Sequence, residues 1–393
     1  MTITAAQAHA TSELPLRFGA RSLAMGGTGV AYVDDPSAAA INPAGLDGID
    51  GFAAQLTVTP FFPRTDAPFS AERSQGTETT VVPLFFAGAA LRVLEPLTVG
   101  AAVYATSGIS AKYEDLPEYG GLDMMLEVGV IEAAIPVSYR FSEQLSVGAA
   151  LRFAHAFIET DMPFDGGAGG PMRIEMDLSG NAFPGVLLGV MYRPSETLAL
   201  GATYRSKMTI DMEGDGKATH VFLAGPLDVE SRWSTAHAFR VGGALWVIPQ
   251  RLLVSLDVAY TLLDEAVNEL PVTLQFREIP DTTIEQEIQL NWQNSLAALV
   301  GGEYWVTDRV AARAGYHVAR SGTPHRYASP LVPPPGVIQT AHIGGGLRFE
   351  HFRADVGAAY AFAGGGSAEP VDEVAGEYGG DYWLVGASLA YRR

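Results

Sequence analysis

Few residues of this 393-residue chain stand in an arrangement that performs chemistry. Gly26-Gly27-Thr28-Gly29 is rich enough in glycine to suggest a phosphate loop, but it lacks the Gly-x-Gly-x-x-Gly spacing and follows no strand. Those glycines are read instead as letting the backbone pack closely. Asp211, Glu213 and Asp215 alternate in a glycine-containing stretch that reads as a solvated hairpin tip rather than a calcium loop. The eight His are scattered without any ligand spacing, so no metal is expected. No Gly-x-Ser-x-Gly nucleophile elbow occurs, and the lack of cysteine removes disulfides, thiolate metal sites and cysteine nucleophiles together. Neither an enzyme nor a cofactor follows from this inventory. What is left is a set of ionisable residues, Arg152, Arg205, Arg240, Asp257, Glu303, Arg313, Arg348 and Asp355, each inside a run of apolar and small residues. Their role depends on the elements that carry them.

Composition narrows those elements. Asp and Glu outnumber Lys and Arg by 44 to 25, giving a net charge of −19, and a nucleic-acid partner is excluded because a phosphate backbone needs a basic surface. Only 18% of residues are charged, where about 25% is usual for a soluble domain. Yet no stretch approaches the ~20 apolar residues of a spanning helix; the run from Pro83 to Leu91 ends at a charge. A chain too apolar for water, cut into pieces too short for helices, has the composition of a transmembrane β-barrel, in which only every second residue faces lipid.

The pieces alternate with period two. Leu145, Val147, Ala149, Leu151 and Phe153 oppose Ser146, Gly148, Ala150 and Arg152, and the stretches 252–262 and 354–362 repeat the pattern. The second face is small or polar each time, which suits a lumen with room for a plug or a ligand rather than a filled core. Fourteen such runs are found, near 51–60, 79–94, 97–109, 126–142, 144–160, 173–193, 197–213, 230–248, 251–266, 284–306, 309–321, 338–350, 353–363 and 380–391. Short turns alternate with long loops near 61–78, 110–125, 161–172, 214–229, 267–283, 322–337 and 364–379. The expectation is an all-β, fourteen-stranded antiparallel transmembrane barrel over 51–393, with both termini on the short-turn, periplasmic side of a bacterial outer membrane.

Residues 1–50 do not alternate. Their glycine-rich opening and the run Asp34-Asp35-Pro36-Ser37-Ala38-Ala39-Ala40-Ile41-Asn42-Pro43-Ala44-Gly45 resemble the N-terminal hatch of the FadL family, outer-membrane transporters of long-chain fatty acids and other hydrophobic compounds. The stretches 185–207, 291–316 and 341–349 resemble that family in the same order. Met1 to Ala10 reads as the remnant of a signal peptide. The resemblance implies a barrel plugged by residues 1–50, passive uptake of a fatty acid, aromatic hydrocarbon or alkane, and hatch movement at Asn42, Pro43 and Ala44. It also implies a lateral exit at a kink in the third strand, for which Thr106, Ser107 and Gly108 are the candidates because glycine permits a bend. Met162, Phe164, Val221, Phe222 and Leu223, apolar residues in the long loops, are candidates for first capture of the ligand. Arg152, Arg205 and Arg240, at middle depth, are candidates for holding a carboxylate head group; the alternative is ion pairing within the barrel and to the hatch. Expected partners are the ligand, the lipid and lipopolysaccharide of the outer membrane and the barrel-assembly machinery, with the barrel a monomer. A sealed structural or adhesive barrel is the reading from a different class.

Overall fold

The computed structural model describes residues 18–393 except 165–169, 171, 222, 223, 267, 280 and 372. The signal-peptide remnant read in residues 1–10 lies outside the described residues. Fourteen wall strands follow one another around a single antiparallel sheet. They are β1 (Phe52–Ser70), β2 (Arg73–Gly76 and Val82–Leu94), β3 (Leu97–Leu116), β4 (Leu122–Arg140) and β5 (Leu145–Phe164). Next come β6 (Met172–Ser195), β7 (Leu198–Arg205 and Thr209–Thr219), β8 (Gly225–Ser234 and His237–Ile248), β9 (Leu252–Leu262 and Glu269–Phe276) and β10 (Thr283–Gln289 and Ser295–Trp305). The wall ends with β11 (Val310–Arg320), β12 (Val337–Arg348), β13 (Phe352–Ala368) and β14 (Gly376–Arg392). Pairing of Ala53 with Arg392 through Asp66 with Gly379 joins β1 to β14 and closes the ring, so the barrel has no free lower edge.

Each of the fourteen runs read from the sequence lies on one of these strands, and the apolar faces point outward. Leu56, Val58, Leu151, Phe153, Leu256, Val356 and Trp383 are exposed, whereas Arg152, Asp257, Glu303 and Asp355 on the alternate positions are buried. In lipid only the first arrangement is stable, because an outward charge would lose its hydration.

Most of the stretches read as long loops are instead continuations of the strands. Above the apolar belt the alternation persists with reversed sense. On β5 the outward side chains change from Leu151, Phe153 and Phe157 to Glu159 and Asp161, while the inward ones change from Arg152 to Ala154, Ala156, Ile158 and Met162. On β7 the break at 206–208 shifts the parity, so that Asp211, Glu213 and Asp215 face outward and Ile210 and Met212 are buried. Those three acids therefore lie within a strand, not at a hairpin tip. Beyond the bilayer water replaces lipid outside, so the polar face turns out and the apolar face turns in; a polar-rich stretch is then strand rather than loop. Among the described residues, 321–336 keep the character of a long connection, with one short 3-10 turn at His325–Tyr327.

Candidate functional site: a plugged lumen beneath an apolar chamber

Residues 18–50 occupy the lower lumen as α1 (Ala20–Ala24), α2 (Ala38–Ile41) and a 3-10 turn over Pro43–Gly48, nearly all of it buried. The wall admits this backbone because it presents glycine where the segment touches. A Cβ at Gly148 would overlap Pro43 and Ala44, at Gly189 Asn42, at Gly201 Val30, at Gly301 Met25 and at Gly315 Gly26. Gly26 and Gly27 adopt φ of 73° and 83°, a left-handed conformation that favours glycine, so the glycine-rich run is a turn pressed against β10 and β11 rather than a phosphate cradle.

Buried charges fasten the segment. Arg21 reaches Glu303 through two hydrogen bonds of 2.9 and 2.8 Å, and Arg313 donates to the same carboxylate at 2.7 Å and lies 2.8 Å from Asp355. Asp257 accepts the backbone N–H groups of Gly29 and Val30 at 2.9 and 3.2 Å. Asp47 lies between Arg140 and Arg193. Asn42 is fully buried, donating to the carbonyls of Val30 and Val190 at 2.6 and 3.1 Å while accepting from the N–H of Ala44. Pro43 and Ala44 follow it onto the glycine face of β5, and Ser138 donates to the carbonyl of Ala44.

The three arginines proposed for a head group differ in what they already hold. Arg152 is saturated: its Nε and Nη2 form a bidentate pair with Glu132 at 2.8 and 3.0 Å, and its Nη1 donates to the carbonyls of Val186 and Ser206. Arg205 pairs with the same Glu132 through Nη2, and its Nη1 has no hydrogen bond. Arg240 is matched one to one with Asp257 at 2.7 Å and also donates to the carbonyl of Gly27, while its Nε, like Nη1 of Arg205, has no hydrogen bond. Two guanidinium groups thus share one carboxylate at Glu132, leaving a net positive charge in a buried site, with the Tyr104 hydroxyl 3.4 Å from Glu132. Sequence reasoning missed Glu132 and Tyr104. The signal was available, since Glu132 shares the inward parity of Ala134 and Ser138 on β4, but a lone acid in an apolar run carries no mark of its partner.

Above this level the lumen is lined by an apolar cluster that includes Val128, Val130, Ile158, Met162, Met212 and Trp233. Met162 belongs to this lining: it is 1% exposed on β5, so it is not a loop residue available for capture. Phe164 ends the same strand. Val221 is exposed at a bend, and Phe222 and Leu223 lie outside the described residues.

The wall is interrupted beside the chamber. Pairing of β2 with β3 ends at Phe86 with Tyr104, and β3 slips register against β4 between Ala105 and Ser107, with Thr106 the extra residue. Thr106 donates its hydroxyl to the carbonyl of Val130 at 3.3 Å. The two strands meet again higher up, where the N–H of Glu78 donates to the carbonyl of Lys112 at 2.7 Å.

The family model described as outer membrane protein transport protein (OMPP1/FadL/TodX) matches residues 2–392. The chain belongs to this family. It is accordingly an outer-membrane β-barrel that transports hydrophobic compounds, not an enzyme. Three solved structures share its fold at low identity. A Pseudomonas aeruginosa FadL homologue superimposes with a TM-score of 0.82 at 18% identity, covering 95% of this chain and 98% of that one. The Pseudomonas putida toluene transporter TodX gives 0.77 at 18%, covering 95% and 97%. The Ralstonia pickettii toluene transporter TbuX gives 0.77 at 17%, covering 96% and 99%. Comparison with curated protein sequences gives no match. For a FadL/TodX-family barrel the arrangement is chemically plain: an apolar inner cluster, a fastened plug beneath it and an unpaired seam between β2 and β3.

Proposed function

We propose that this barrel mediates passive uptake of long-chain fatty acids and related hydrophobic molecules. Capture begins at Phe164, Val221, Phe222 and Leu223 on the outer side. The molecule then enters the apolar chamber, and the carboxylate, where there is one, settles against Arg205. The observation that carries this reading is the two-to-one ratio of arginines to carboxylate at Glu132. A buried surplus charge is costly unless an anion completes it, and Arg205 has a donor to spare. Arg152 and Arg240 serve the scaffold instead. Exit is lateral, through the seam between β2 and β3 at Thr106, Ser107 and Gly108, so that the solute enters lipid without crossing water. Movement of the hatch around Asn42, Pro43 and Ala44 accompanies it. Both termini face the periplasm, residues 1–50 act as the hatch and 51–393 as the barrel, and the barrel works as a monomer in lipopolysaccharide-containing membrane after insertion by the assembly machinery. No energy source is required, since the solute moves down its gradient.

A second reading, uptake of uncharged hydrocarbons, is favoured by the outer wall. Glu127, Glu159, Asp177, Asp215 and Asp228 lie directly opposite one another across five strands. A field of that sign slows the approach of an anion and leaves a neutral solute unaffected.

Uptake of radiolabelled oleate and toluene by cells with and without the protein separates the readings. The fatty-acid reading expects oleate uptake that is saturable and lost in Arg205→Gln. Toluene uptake alone, indifferent to Arg205→Gln, favours the second reading. Equal uptake of both solutes with and without the barrel would reject transport of either.

A further inference from the structure

We propose that Val82 and Gly108 set the aperture of the seam in the barrel wall and so determine the cross-section of the solute that leaves through it. The inference rests on the lateral exit proposed above and adds the residues that give it a size. Lower on β3, where the ladder to β2 is intact, a Cβ at Gly100 would meet the carbonyl of Ala89 at 2.8 Å. At Gly108 no ladder residue of β2 stands opposite. A Cβ there would overlap Val82 Cγ1, the next atom of β2 is Leu84 Cδ2 at 3.7 Å, and no backbone atom is among the three nearest.

Side chains therefore stand in the seam where hydrogen bonds stand elsewhere. Below it the ladder from Phe86–Tyr104 to Arg92–Thr98 is continuous, and above it the strands rejoin at Glu78 and Lys112. Within it the backbone of β2 pairs with β1, from Val82 opposite Phe61 downward, and near its upper end the Thr80 hydroxyl donates to the Ser110 carbonyl of β3 at 3.4 Å. Pro83 sits in this stretch of β2, and proline has no N–H to give a ladder. Among the described side chains, Val82 and Leu84 stand nearest Gly108 in the seam. Rotamer changes of such side chains are fast and cost little compared with breaking a ladder.

Volume at these two positions then sets the passage. Glycine at 108 supplies space that any side chain would remove, and valine at 82 takes part of that space back. Val82 and Leu84 also pack on the cluster of Leu23, Phe61, Tyr382 and Leu384. Leu23 belongs to α1 of the plug, so the filler of the seam and the plug share one apolar contact set.

The test measures uptake of radiolabelled toluene and radiolabelled naphthalene by cells producing wild type, Gly108→Val, Val82→Ala and the double variant. Folding of each barrel is checked by its heat-modifiable gel mobility. Gly108→Val is expected to lose uptake of both solutes. Val82→Ala is expected to raise naphthalene uptake relative to toluene, and the double variant to recover part of what Gly108→Val loses. A folded Gly108→Val barrel that takes up both solutes at the wild-type rate would overturn the inference, as would a Val82→Ala barrel with an unchanged ratio. Wild-type cells that match cells lacking the barrel for toluene and naphthalene would overturn this inference, and the transport reading falls with it only if oleate uptake is equal as well.

Discussion

Single side chains in this barrel divide by how completely their hydrogen-bonding capacity is used. Arg152 spends three of its nitrogens on Glu132 and two carbonyls, whereas Arg205 keeps one free, and the head-group role proposed for Arg205 rests on that difference. Glu132→Gln leaves both guanidinium groups buried without their counter-charge. Removing one partner of a buried pair costs about 3–5 kcal/mol, so the variant should unfold at clearly lower urea concentration than wild type in a gel-mobility titration. Outside the membrane the same chemistry is weaker and pH-dependent. The hydrogen bond from Arg277 holds the Asp228 carboxyl below its ordinary value, and Arg277 also reaches Asp215. Because the folded-state pKa is lowered, the pairing contributes fully at neutral pH and is lost only as pH falls through that lowered value. A spin label at Glu278 should stay immobile through the ordinary carboxylate range and become mobile only in stronger acid. Mobilisation already in mild acid would contradict the pairing.

At the level of elements, a strand's inner face is matched to whatever lies against it. Where the plug touches, the wall offers Gly148, Gly189, Gly201, Gly301 and Gly315; where the chamber lies, it offers Ile158, Met162 and Met212. The alternation of small and polar residues was visible in the sequence, and so was the suggestion that they leave room for a plug. Which glycine meets which plug residue was not, because that depends on strand tilt and on a contact between positions such as 42 and 189 that no local pattern connects. Gly189→Val places methyl groups on Asn42 and should expel the Asn42-Pro43-Ala44 turn. Protease added from the side the termini occupy should then cleave within residues 18–50 of the variant while leaving wild type intact. Equal resistance would show that the plug does not depend on this contact. Gly243, whose nearest neighbour is a leucine side-chain atom at 3.4 Å, provides a control position.

For the molecule as a whole, one rule governs both halves: the face toward the solvent copies the solvent. Trp383 is half exposed on the outer belt of β14, whereas Trp233 is buried inside the chamber. Brominated acyl chains should therefore quench the fluorescence of a barrel retaining only Trp383 and leave one retaining only Trp233 bright. The reverse would mean that the faces had been assigned the wrong way round. The sequence alone determined the strand number, the outward face of the belt and the family, since period-two alternation, chain length between turns and the hatch motif are local properties of the chain. It misjudged where strands end, because outside the bilayer the same alternation continues with its meaning inverted, and Met162 was mistaken for a loop residue on that account. Tertiary structure alone decided that Glu132 carries two arginines, that Arg205 has a spare donor and that side chains rather than backbone fill the seam at Gly108. Each of these is a meeting between separate strands, fixed by register and by closure of the ring, and a linear pattern holds no record of which strand stands beside which at a given height.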